Sequence, residues 1–196
     1  MGDTKGIVLT AWVEFLNHRY GKAAVADAMN TLSSDDQVLL AAPFLPSSWY
    51  PYNTLHAMRR VTRQLATPAD QHLGVEIGRF MADFVFTGVY RSVLVKDPLK
   101  MIEKFSWVGD LFYQEVRDLD CEILGETRCL VRHRHKSGSR PTRAICESLL
   151  GFYSRMLELA GALAVRSSHP KCVSLQDDCC EFVFEWAGTK IAASAN

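Results

Sequence analysis

Net charge is missing from this chain: across 196 residues, 22 basic side chains offset 22 acidic ones. No global field therefore draws it to nucleic acid or to an anionic membrane, and any such partner needs a local patch. Long apolar runs are missing as well. None approaches the roughly 20 residues that span a bilayer. The stretch from Met1 to Trp12 has one lysine, a short apolar run and no small-residue cleavage site, unlike a secretory signal. Internal repeats and low-complexity linkers are absent, so a single domain over residues 1–196 is expected, with 187–196 as a frayed tail. Catalytic signatures are sparse too. There is no glycine-rich phosphate loop, Asp27, Asp35, Asp36 and Asp110 are scattered, and no nucleophile, base and acid fall at a telling spacing. The chain is not expected to be an enzyme. The six cysteines point, in a cytoplasmic protein, to reduced thiols or metal ligands rather than disulfides.

What is present is an apolar content of 48%, enough for a substantial core. Ile7, Val8, Ala11, Trp12, Phe15 and Leu16 recur at helical spacing over 5–20, and Gly21 stops that helix. Further helices are predicted over 22–32, from a Ser34 cap to before Pro43, from Asn53 or Thr54 to about 66, over 73–92 as the longest, and over 99–107 after Asp97-Pro98. Leu119, Cys121 and Ile123, then Cys129, Val131 and His133, alternate as in a β-hairpin; a turn centred on Gly125 would set Cys121 against Cys129. A long helix from Pro141 to Gly161 precedes strands over 162–168 and 180–186. This order implies an α+β fold, with an N-terminal helical layer packed on a small antiparallel sheet.

The late cysteines carry the strongest chemical signal. In the last strand Cys180, Phe182, Phe184 and Trp186 share the inner face, while Cys179, Glu181, Val183 and Glu185 share the other. Parity therefore favours Cys180 over Cys179 as a metal ligand. His169-Pro170-Lys171-Cys172 sets two more donors on one short knuckle, and three thiolates with one imidazole suit a closed, structural Zn²⁺ site. Paired CxxC knuckles are lacking, and the plainer alternative is that buried cysteines and a capping histidine simply pack together.

The helix bearing Cys146, the Ala164-Val165-Arg166 strand, the His169-x-x-Cys172 knuckle and the Cys180-Glu181-Phe182-Val183-Phe184-Glu185-Trp186 ending together resemble the 4-vinyl-reductase-type ligand-binding domain. That domain is related to the heme nitric-oxide-binding fold and to the TRAPP vesicle-tethering subunits. The Lys5-Gly6-Ile7-Val8 and Ser48-Trp49-Tyr50-Pro51 segments are similar to a stand-alone bacterial branch. The resemblance implies metal ligands at Cys146, His169, Cys172 and Cys180, with histidine replacing a carboxylate. It also implies a small apolar or aromatic molecule between helices and sheet, for which Tyr90, Phe105, Trp107, Phe112, Tyr113, His133, Phe152 and Met156 are the candidate lining. Heme-binding relatives carry a helical proximal histidine and a Tyr-x-Ser-x-Arg motif. Here Tyr153-Ser154-Arg155 lacks that spacing and His169 precedes a proline in a loop, which weighs against heme.

One basic stretch stands out: Arg132, Arg134, Lys136, Arg140 and Arg143, with His133 and His135 between and Ser137-Gly138-Ser139 as the bend. It can touch phosphate or an acidic partner, and its plainer reading is a solvated hairpin end and helix start; without interleaved aromatics, base stacking is not suggested. The expected function is a cytoplasmic sensory or regulatory module that binds a small molecule. The alternative is a ligand-free scaffold acting as a homodimer or on another protein partner.

Overall fold

The computed structural model describes residues 2–136 and 141–190. Eight α-helices are formed among them: α1 (Gly6–Tyr20), α2 (Lys22–Asn30), α3 (Ser34–Leu40), α4 (Asn53–Leu65), α5 (Leu73–Thr87), α6 (Pro98–Glu103), α7 (Phe105–Phe112) and α8 (Arg143–Leu159). Short β1 (Asp3–Lys5) is flanked by β2 (Trp49–Pro51) and β3 (Tyr113–Gln114) in an antiparallel trio. The main antiparallel sheet runs β4 (Arg117–Gly125), β5 (Arg128–His135), β8 (Cys180–Glu185), β7 (Arg166–Lys171). A last pair joins β6 (Ala162–Leu163) to β9 (Gly188–Thr189). The fold is α+β, as the order of elements implies.

The apolar stripes lock the layers together. Ile7, Leu9, Ala11, Trp12 and Leu16 of α1 are buried, and Phe182 and Phe184 of β8 are fully enclosed beneath α8. Helices α5 and α8 pack with their backbones almost in contact. A Cβ on Gly78 would lie 1.8 Å from the Ser148 carbonyl oxygen, and one on Gly151 would lie 2.1 Å from that of Val75. Arg79 bridges to Glu158 at 2.7 Å and Arg155 to Asp83 at 2.9 Å along the rim of this seam.

Several boundaries differ from the sequence pattern for local reasons. Ser33, not Ser34, caps α3, since its hydroxyl accepts from Asp36 N at 3.3 Å. Neither Asn53 nor Thr54 caps α4; the cap position is Tyr52, whose side chain makes no capping bond. Gly88 ends α5 early, and residues 91–93 form a separate 3₁₀ turn. The helix expected over 99–107 divides at Lys104, whose N–H donates to Met101 O, a three-residue bond that tightens the turn. In the hairpin Gly125 pairs with Arg128, so Glu126 and Thr127 make the turn and Cys121 faces Val131 rather than Cys129. Helix α8 starts at Arg143, two residues after Pro141. Ala164, with φ of 50°, splits the strand expected over 162–168 into β6 and β7. His169 lies on β7, at a bulge between Ser168 and Lys171, and not in a loop; Pro170, which has no N–H to donate, suits that irregularity. Gly188 and Thr189 are paired strand rather than tail, while 191–196 fall outside the described residues.

Candidate functional site

Four donor residues converge at the end of the main sheet. The Cys146, Cys172 and Cys180 sulfurs and a His169 ring nitrogen all lie within 4.8 Å of one another, with the three cysteines buried. Helix α8 presents Cys146, the inner parity of β8 presents Cys180, and the turn after β7 returns Cys172 beside them. Cys146 Sγ is 3.8 Å from both Cys172 Sγ and Cys180 Sγ. His169 stacks flat on Phe182, ring centroids 4.5 Å apart, and its Nε2 is sealed without a hydrogen-bond partner. Cys179 is buried but stands outside the group.

The electrostatics of the cluster are asymmetric. The contact with Cys146, with the Val173 N–H donating to the same sulfur at 3.5 Å, pulls the Cys180 thiol far below its ordinary range, while that same contact and burial push Cys146 up. The two sulfurs lie 3.8 Å apart, and either can serve as the donor. Three sulfurs and one imidazole are also donors of the type and number that close round a soft ion.

A second feature lies between the helices and the sheet. A cavity of about 20 Å³ is bounded by Val8, Met81, Val85, Val108, Gly109, Phe112, Tyr113, Arg117, Ser148, Leu149, Phe152 and Tyr153, room for about one water molecule. Arg117 is its unusual member. Its guanidinium sits 4.1 Å from the centroid of the Tyr113 ring, its Nε is enclosed without a partner, and no ion pair neutralises it among the described residues. Behind the cavity the Tyr153 hydroxyl and His133 Nε2 are 2.9 Å apart. Burial, then Arg117, His135 and His169, hold His133 neutral by pushing its pKa well below the usual imidazole value. Burial raises Tyr153 and Tyr113.

Of the residues expected to line a ligand pocket, Phe112, Tyr113 and Phe152 reach this cavity. Tyr90 packs edge-on to Phe112 at 5.2 Å, Phe105 stacks on Tyr153 at 4.9 Å, and Met156 is solid core. Trp107 is 49% exposed and lines nothing here, because restarting α7 at Phe105 turns Phe105, Val108 and Phe112 inward and Trp107 outward. Arg117, Tyr153, Val8, Met81 and Val85 also line the cavity, outside the expected set. For Arg117 a signal existed: it shares strand parity with Leu119 and Cys121, the inward face of β4. In the basic stretch, Arg132 is engaged by Asp120, Glu122 and Glu181, and Arg143 by Glu147. Residues 137–140, including Arg140 and the expected Ser137-Gly138-Ser139 bend, fall outside the described residues.

No protein-family model matches the sequence, and no curated protein matches it. Solved structures do share the fold. An H-NOX protein from Shewanella oneidensis in an Fe(II) state superposes with a TM-score of 0.72 at 15% identity, covering 95% of this chain and 97% of that one. An Fe(II) unliganded H-NOX protein from K. algicida gives 0.67 at 13% identity over 95% and 98%. A structure concerned with heme distortion in the H-NOX family gives 0.65 at 10% identity over 94% and 96%. These finds correct the cofactor expectation: the proteins sharing this fold hold heme iron, and structural zinc is set aside as its cofactor. The chain has the fold of the H-NOX proteins.

Proposed function

We propose that this chain is a small-molecule-binding sensory or regulatory module, acting in the cytoplasm by binding rather than catalysis. Its ligand is received between the helical layer and the main sheet. The observation that carries the reading is the cavity at that interface, within a fold shared along nearly the whole chain with the H-NOX proteins. The late Cys and His pattern supports a 4-vinyl-reductase-type member of that superfamily.

Heme, the group held by the fold neighbours, does not fit the residues present. Among the described residues no histidine or cysteine lines the space to hold the iron. His133 stands behind Tyr153 and is engaged by its hydroxyl. No step is therefore assigned to iron. The fitting ligand is a small apolar or aromatic molecule that displaces side chains such as Phe112 and Phe152 and meets Arg117 at its polar end. Native mass spectrometry of freshly purified protein tests this, with an expected adduct above the bare chain. A bare chain, with no thermal shift from a panel of small aromatics, would contradict the reading. A stoichiometric Soret band on adding hemin would overturn the exclusion of porphyrin.

A ligand-free homodimeric scaffold is the second reading. Ile123 and Leu124, each 44% exposed at the tip of the β4–β5 hairpin, favour it. A dimer mass without any adduct would select it.

A further inference from the structure

A groove of about 350 Å³ opens between α4, the start of α5 and the start of α8, remote in residue membership from the cavity above. That volume lies within the range of small-molecule sites. Its floor is apolar: Trp12, Leu73 and Ile77, all buried. The floor is also fixed, since Trp12 Nε1 donates to Thr62 Oγ1 at 2.9 Å and that hydroxyl donates to Met58 O at 2.9 Å.

The walls carry uncompensated positive charge. Arg59 and Arg63 stand one helical turn apart on α4 and both line the groove. Among the described residues neither has an ion pair, and Arg59 makes only a 3.4 Å contact with His56 Nδ1. The two carboxylates of the lining are already engaged: Asp70 by Arg19 and Thr67, Glu147 by Arg143. On the facing wall α8 begins with Thr142 and Arg143. Its cap residue Thr142 makes no side-chain capping bond, and Thr142 Oγ1 is enclosed without a partner. Of that first turn, the Ile145 and Cys146 N–H groups already donate to Thr142 O, so the attraction for an anion rests on the arginines and the helix dipole.

We propose that this groove binds an organic oxyanion, a small molecule whose apolar or aromatic body rests on Trp12, Leu73 and Ile77 and whose phosphate or carboxylate is held by Arg59 and Arg63. Planar guanidinium groups on adjacent turns suit either oxyanion. The site is independent of the helix–sheet cavity.

Calorimetric titration of the full chain with phenyl phosphate, benzoate and phenol tests the proposal. One of the two anions should bind saturably at one per chain and weaken as salt is added; phenol should bind at least about tenfold less tightly. Tighter binding of phenyl phosphate or of benzoate identifies the oxyanion. The R59Q/R63Q double variant should lose at least about tenfold in affinity, whereas R60Q, whose arginine is occupied by Asp36, should not. Because Arg63 is exposed, R63E alone keeps the fold and should show the loss even if the double variant does not fold. Equal binding of phenol, failure of both anions to saturate, or wild-type affinity in R63E would each overturn it.

Discussion

A guanidinium enclosed without a counter-ion costs several kcal/mol unless its surroundings compensate it, and among the described residues Arg117, its Nε enclosed, is met by the Tyr113 face and the Tyr153 hydroxyl. A residue kept at that cost for ligand recognition differs from one that holds the fold. Arg117→Met should therefore leave the melting temperature unchanged or raise it while abolishing retention of the co-purifying small molecule. A loss of more than about 3 kcal/mol in stability, the cost of breaking a needed buried charge contact, would show a structural role. His56 offers a pH test. Burial, with Arg59 and Arg60 close by, lowers its pKa from the model-peptide value of 6.5. As pH falls the unfolded chain takes up the proton first, so this stability is present above the unfolded pKa and lost below it. Melting temperature should fall between about pH 7 and 5, and H56Q should make that fall shallower, buried His133 supplying the rest. Strand alternation made the inward parity of Arg117 legible in the sequence. Its lack of a counter-ion was not, because the partners a side chain meets come from distant segments.

At the scale of elements, the contact between α5 and α8 depends on Gly78 and Gly151, where any Cβ meets opposing backbone. Backbone cannot move aside as a side-chain tip can. Gly78→Ala should cost about 2–3 kcal/mol, read as a lower urea midpoint with an unchanged slope. Gly125→Ala, with nothing within 4 Å of the added carbon, should change little. Helix periodicity indicated where α1, α4, α5 and α8 lie to within a few residues. It missed the break at Lys104 and the early end of α5 at Gly88, since both depend on single-residue backbone geometry. The three-residue strands β1 and β2 were invisible as strands, being too short to show alternation.

For the molecule as a whole, α8 packs on both the helical layer and the β7–β8 half of the sheet, so the chain should unfold as one cooperative unit. Scanning calorimetry should give a single transition with equal calorimetric and van't Hoff enthalpies; two resolved transitions would contradict this. From composition and periodicity alone came the α+β class, the antiparallel hairpin and the inward parity of Cys180, Phe182 and Phe184. These follow from spacings of 2 and 3.6 residues, which are local properties of the chain. Tertiary structure alone brought Arg117 into the cavity with Met81 and Phe152, turned Trp107 to solvent, and set Arg59 and Arg63 across a groove from Thr142. Such sites join side chains far apart in sequence, and no local spacing encodes that distance.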